Sequence, residues 1–164
     1  MKSLFIIAGI LFSTSISSVR ETFFKDNSEK ANTELYNLTK TGTLNSNPVL
    51  FAYNGLAIMR KAEYSFNPYS KLSFFKKGKN KIEKAIKLKP NNPELRFIRL
   101  SVQVNIPSFL GYNDEIKSDK NRVMSALQSK TFGSDIRFNK KVIEFLSNQN
   151  LISASEKKAL IDLY

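Results

Sequence analysis

An Asn-Pro pair recurs three times in the middle of the chain, at Asn47-Pro48, Asn67-Pro68 and Asn92-Pro93. Each pair encodes a helix start. The Asn side-chain oxygen can accept from the orphan amides of a first turn, while Pro at the first helical position gives up an amide that has no partner there anyway. Pro also pushes the preceding residue into the extended backbone that a cap requires. After Pro48 the residues Val49, Leu50, Phe51, Ala52, Tyr53, Leu56, Ala57, Ile58 and Met59 are apolar. That helix, over about 48–62, is wetted on little of its girth and belongs at the centre of the fold.

The following segments keep the helical period. Between Ser70 and Lys89, Phe75, Gly78, Ile82, Ala85 and Ile86 fall on one face, and Lys76, Lys77, Lys84 and Lys87 on the opposite one. After Pro93, Leu95, Ile98 and Val102 form an apolar stripe and Arg96, Arg99 and Gln103 a polar one, with Pro107 as the stop. Further helices are expected over Ser28 to Lys40, Asp114 to about Lys130, Ser134 to about Asn148 and Ser153 to the end. The last opens on a capping box, Ser153 with Glu156. No stretch alternates with period two for long enough to make a strand. The expectation is an all-α single domain of six to seven helices in antiparallel hairpins.

The first residues read as an address. Met1 and Lys2 are followed by an apolar run from Leu4 to Phe12 and by small residues from Ser13 to Ser18. This is the pattern of a secretory leader, whereas a membrane span needs about 20 apolar residues. Ser15 and Ser17 could fill the small-residue positions before a cut, so residues 1–18 are assigned to the leader and 19–164 to the helical domain. The expected location is the periplasm or the outside of a bacterial cell, with membrane contact at most peripheral.

Two resemblances attach to these residues. Lys79 to Asn92 resembles the ending of a tetratricopeptide repeat, with Ala85, Ile86 and Pro90 at the offsets of its small, large apolar and helix-stopping residues. That likeness implies one helical hairpin, since no second copy follows at about 34 residues. The stretch from Asn47 to Tyr112 resembles a family of exported helical bacterial proteins. It does so through Asn47-Pro48-Val49-Leu50, the Asn67-Pro68 turn, Pro90 to Phe97 and the loop Pro107-Ser108-Phe109-Leu110-Gly111-Tyr112. The family implies helices and export and brings no activity with it.

The composition removes most familiar chemistry. The 164 residues include no Cys and no His, so disulfides, thiolate nucleophiles, imidazole bases and the usual zinc ligand sets are absent. No metal or cofactor is expected. The remaining enzymatic option is glycan cleavage by carboxylates, with Glu63 as the candidate acid because it ends an apolar helix beside Tyr64, Phe66 and Tyr69. Asn113, Asp114, Glu115 and Asp119 superficially suggest a calcium loop. They lack its Gly and terminal Glu, and read instead as acids complementing a helix dipole.

Charge is the other lead. Net charge is +12, and residues 60–99 hold 12 Lys plus Arg against 3 Glu. The binding candidates are therefore Arg96, Arg99 and Gln103 on one helix face and Lys76, Lys77, Lys84 and Lys87 on another, set for an envelope protein, an acidic peptide or another polyanion. The blander use of the lysines is a solvated helix face, and that of the arginines is pairing with Glu94 or another acid. Nucleic acid is not expected, because the chain reads as exported and carries no recognisable binding motif. Phe109 and Tyr112 are read as tucked under their loop, with a partner anchor as the alternative. The expected role is a non-catalytic helical binding or scaffold protein of the envelope. The alternatives are a small carboxylate-dependent cell-wall glycan hydrolase and a basic protein attaching to anionic envelope surfaces.

Overall fold

A computed structural model describes residues 15–164. Among these residues the structure is all-helical. It comprises α1 (Ile16–Phe23), α2 (Glu29–Thr39), α3 (Pro48–Arg60), α4 (Pro68–Leu88), α5 (Pro93–Gln103), a 3-10 turn (Ser108–Leu110), α6 (Ile116–Gln128), α7 (Ile136–Asn148) and α8 (Ala154–Ile161). The helices pack around a single core.

The three Asn-Pro pairs start helices as expected. Asn47 Oδ1 accepts from the Leu50 amide at 3.0 Å, Asn67 Oδ1 from Tyr69 at 2.8 Å, and Asn92 Oδ1 from Leu95 at 3.1 Å. The capping box at Ser153 and Glu156 is also formed. α7 is capped by Asp135, whose carboxylate accepts from the Phe138 amide, one residue beyond the expected Ser134.

The eighth helix is the addition. The apolar run of the expected leader lies in residues 1–14, outside the described residues. Residues 15–18, also assigned to the leader, form the Ser15 cap and first turn of α1. Val19 and Phe23 from this helix are buried. Arg20 reaches α5 and grips Glu94 with Nε–Oε1 and Nη2–Oε2 distances of 2.9 and 2.7 Å, while the Tyr53 hydroxyl donates to the same Glu94 Oε1 at 3.0 Å. Burial and the adjoining Glu94 carboxylate hold the Tyr53 phenol well above its ordinary pKa.

α3 is central, contacting α1, α2, α4 and α5. Its partnership with α4 is antiparallel, since Asn54 Oδ1 accepts from Lys81 Nζ at 2.6 Å while Met59, one turn on, faces Gly78. Gly55 and Gly78 let the two backbones touch. A Cβ on Gly55 would stand 2.8 Å from Lys81 Cβ and 2.9 Å from the Gly78 carbonyl oxygen, closer than atoms pack. The buried face of α4 comprises Phe75, Gly78, Ile82, Ala85 and Ile86, as its periodicity indicates.

α5 departs from its sequence pattern. It is buried almost all round, including Glu94, Arg99, Ser101 and Gln103, because α6 covers the stripe that looks solvent-facing in the sequence. Phe97 on this helix is fully buried and takes the edges or faces of Phe23, Phe24, Phe132, Phe138 and Phe145, so one ring ties α1, α5 and α7 together.

Candidate functional site

The arginine face is an internal clasp. Arg99 Nε donates to Asp119 Oδ2 at 2.6 Å and Nη2 to Oδ1 at 2.8 Å, with Glu83 at 3.2 Å and Glu115 at 3.4 Å from the same guanidinium. Asp119, in the first turn of α6, is fully buried. Its hydrogen bonds and the surrounding carboxylates outweigh burial and push the Arg99 pKa up. The Tyr112 hydroxyl closes the cluster by donating to Glu83 Oε1 at 2.5 Å, and burial followed by that carboxylate raises the phenol's pKa.

Arg99 is thus saturated with acids of the same chain, and its partners are Asp119, Glu83 and Glu115 rather than Glu94. Gln103 is buried, and its side-chain oxygen has no hydrogen-bond partner among the described residues. Of the three, Arg96 alone reaches a surface depression, of about 400 Å³, which it lines with Arg122 and Asn121. Its own donors already serve the Pro90 carbonyl at 2.9 and 3.1 Å and Asp119 at 3.4 Å. An external polyanion finds little of this face free. The calcium-like acids resolve the same way, with Glu115 and Asp119 spent on Arg99. Among the described residues no group of three or more acids is arranged to hold a metal ion.

Seven of the lysines from residue 61 to residue 87 fall into two sets. Lys61 lies 3.7 Å over the Tyr36 ring, Lys79 4.5 Å over Tyr112 and Lys81 4.3 Å over Phe51, so these three pack on the fold. Lys76, Lys77, Lys84 and Lys87 are exposed and join no ion pair among the described residues.

A groove of about 540 Å³ lies elsewhere, where α3 ends, α4 begins and α5 runs into the 3-10 turn. Leu56, Met59, Arg60 and Glu63 enter it from α3 and its C-terminal turn, at the i, i+3, i+4, i+7 spacing of one helix face. Pro68, Lys71, Leu72 and Phe75 enter from α4 at the same spacing. Val102, Ile106, Phe109 and Leu110 close the third wall. The volume and the mainly apolar walls are those of a small-molecule pocket.

Its rim is unusually greasy. Phe109, in one wall, is 85% exposed, and Phe66 and Tyr69, close in sequence to the lining residue Pro68, are 101% and 86% exposed. Only half of the tucked-loop expectation therefore holds: Tyr112 is buried and Phe109 stands in solvent.

Two charged residues of the groove matter chemically. Glu63, the candidate acid, is exposed at the edge and is the one carboxylate in the walls among the described residues. Two-carboxylate glycan cleavage needs a second acid about 5–10 Å away across the scissile bond. Arg60 is partly buried, lies 5.2 Å over the Phe23 ring and joins no ion pair or side-chain hydrogen bond among the described residues. Burial pushes its pKa down, and nearby Glu63 pulls it partly back. Sequence reasoning passed over Arg60, although its spacing to Leu56, Met59 and Glu63 placed it on one face with them.

Comparison with protein-family models, with curated proteins and with solved structures finds no match to this chain.

Proposed function

We propose that the protein is an exported, non-catalytic binding protein of the bacterial envelope, and that it binds through the groove between α3, α4 and α5. One observation carries the reading: a mainly apolar groove in whose walls Leu72 and Phe109 remain exposed. Export rests on the leader pattern of residues 1–18. The likeness of residues 79–92 to a tetratricopeptide ending belongs to the same proposal, supported by the close α3–α4 hairpin and by buried Ala85. The ligand has an apolar part for the walls and a negative charge for Arg60 and Lys71.

An uncharged solvatochromic naphthalene dye tests the groove. The dye is expected to brighten and shift to the blue with the protein, and Leu72→Glu combined with Phe109→Ser to abolish the change. Both side chains are exposed, so the fold is expected to persist. A dye response untouched by these substitutions would place binding elsewhere.

A second reading has its own support. Lys76, Lys77, Lys84 and Lys87 of α4, exposed and in no ion pair among the described residues, could hold the protein on anionic envelope surfaces. It requires retention that falls steeply with salt and after charge reversal at Lys76, Lys77, Lys84 and Lys87.

A further inference from the structure

Arg60 sets the chemistry of what the groove takes. A guanidinium stays charged at any physiological pH, and desolvating a charge without a counterion is unfavourable. Among the described residues every other arginine that reaches inward has a carboxylate: Arg20 has Glu94, Arg96 has Asp119, and Arg99 has Asp119 and Glu83. Among the described residues Arg60 has no carboxylate at ion-pair distance, and the counter-charge that acts on it is Glu63, exposed at the edge of the same groove. Lys71 adds a second cation and Glu63 one anion, leaving the walls one net positive charge. That balance fits a monoanion better than a doubly charged phosphate, which Glu63 would repel.

Shape narrows the choice further. Two of the three walls are faces of α3 and α4, whose backbone amides are used within the helices, and the third runs through the irregular stretch 104–107 into the 3-10 turn, so an extended peptide would find main-chain partners on one wall at most. A hydrocarbon chain needs none. On the reading that this groove is the binding site, we infer that its ligand is a single-chain amphiphile ending in a carboxylate. The Arg60 fork takes the carboxylate, and the chain lies between Leu56, Met59, Phe75 and Ile106 with Phe109 over it.

Calorimetric titration of the purified protein with dodecanoate, dodecanol and acetate tests this. Dodecanoate is expected to bind one per chain, and dodecanol at least about tenfold more weakly, because it cannot form the charge-assisted pair. Acetate, lacking the chain, is expected to show no measurable binding. Arg60→Gln is expected to bring the dodecanoate to dodecanol ratio close to one. Leu72→Glu, at an exposed position in the mouth, serves where Arg60→Gln does not fold, and is expected to weaken dodecanoate more than dodecanol. Charge reversal at Lys76, Lys77, Lys84 and Lys87 is expected to leave dodecanoate affinity unchanged.

Equal binding of dodecanoate and dodecanol would overturn the carboxylate anchor while leaving the groove in place. So would sedimentation with anionic vesicles through Phe66 and Phe109 without uptake of monomeric dodecanoate. Failure of both dodecanoate and the uncharged dye would overturn the groove itself.

Discussion

Asp119 is fully buried and meets Arg99 side-on, through two hydrogen bonds of 2.6 and 2.8 Å that fasten α6 to α5. Removing Asp119 leaves the buried guanidinium with only the longer, partly exposed contacts to Glu83 and Glu115. Asp119→Ala is therefore expected to destabilise the protein by about 3–5 kcal/mol. Arg99→Met with Asp119→Leu removes both charges and is expected to cost less than the two single changes added together, as read by urea unfolding. Additive losses would mean that the two side chains act independently.

Tyr112 predicts an alkaline weakness. Its phenol is pushed up in the folded protein by burial and by Glu83, so above the ordinary tyrosine range, near pH 10, the unfolded chain loses a proton that the folded one keeps. Stability is complete below about pH 10 and falls as pH rises, by up to about 1.4 kcal/mol per pH unit for this group. Tyr53 acts with the same sign. Tyr112→Phe is expected to make the decline between about pH 10 and 11 shallower, measured by urea unfolding at a series of pH values.

The facing glycines of α3 and α4 set a steric limit. Alanine is the better helix former by about 1 kcal/mol, yet at position 55 its Cβ would strike the Gly78 carbonyl oxygen. Gly55→Ala is expected to lower stability by about 1–3 kcal/mol. An increase in melting temperature would show that the helices can separate freely.

Lys130 lies at φ 58° just beyond α6, a left-handed position where a Cβ is unfavourable. It is exposed and its side chain makes no ion pair among the described residues. Lys130→Gly is expected to stabilise the protein by about 0.5–1 kcal/mol in thermal unfolding.

Residues 15–18 offer a test of the domain boundary. A chain starting at Val19 lacks the Ser15 cap and the first turn of α1. It is expected to be less stable than one starting at Ser15 by about 1 kcal/mol. Equal melting temperatures would put the working start of the domain at residue 19.

What the sequence revealed and hid follows the range of the interactions. Asn47, Asn67 and Asn92 act on amides two or three residues away, so their helix starts are visible in a short window. The buried face of α4 is equally visible, because Phe75, Gly78, Ile82, Ala85 and Ile86 obey one helical period. Helix α1 is masked by its neighbourhood, since Ile16 and Ser17 follow an apolar run and look like its tail. The partner of Arg99 lies 20 positions away on a different helix, and no local pattern selects Asp119 over Glu94. The groove combines both cases. Leu56, Met59, Arg60 and Glu63 are visible as a face, as are Pro68, Lys71, Leu72 and Phe75. Their convergence on Ile106 and Phe109 depends on how three helices cross.

Amide chemical-shift mapping by NMR, with the uncharged dye and then with dodecanoate, tests the central claim most directly. The groove account predicts that both probes shift Leu56, Met59, Leu72, Phe75, Ile106 and Phe109, and that dodecanoate also moves the Arg60 side-chain resonance. Shifts confined to Lys76, Lys77, Lys84 and Lys87, or to Arg96 and Arg122, would contradict it.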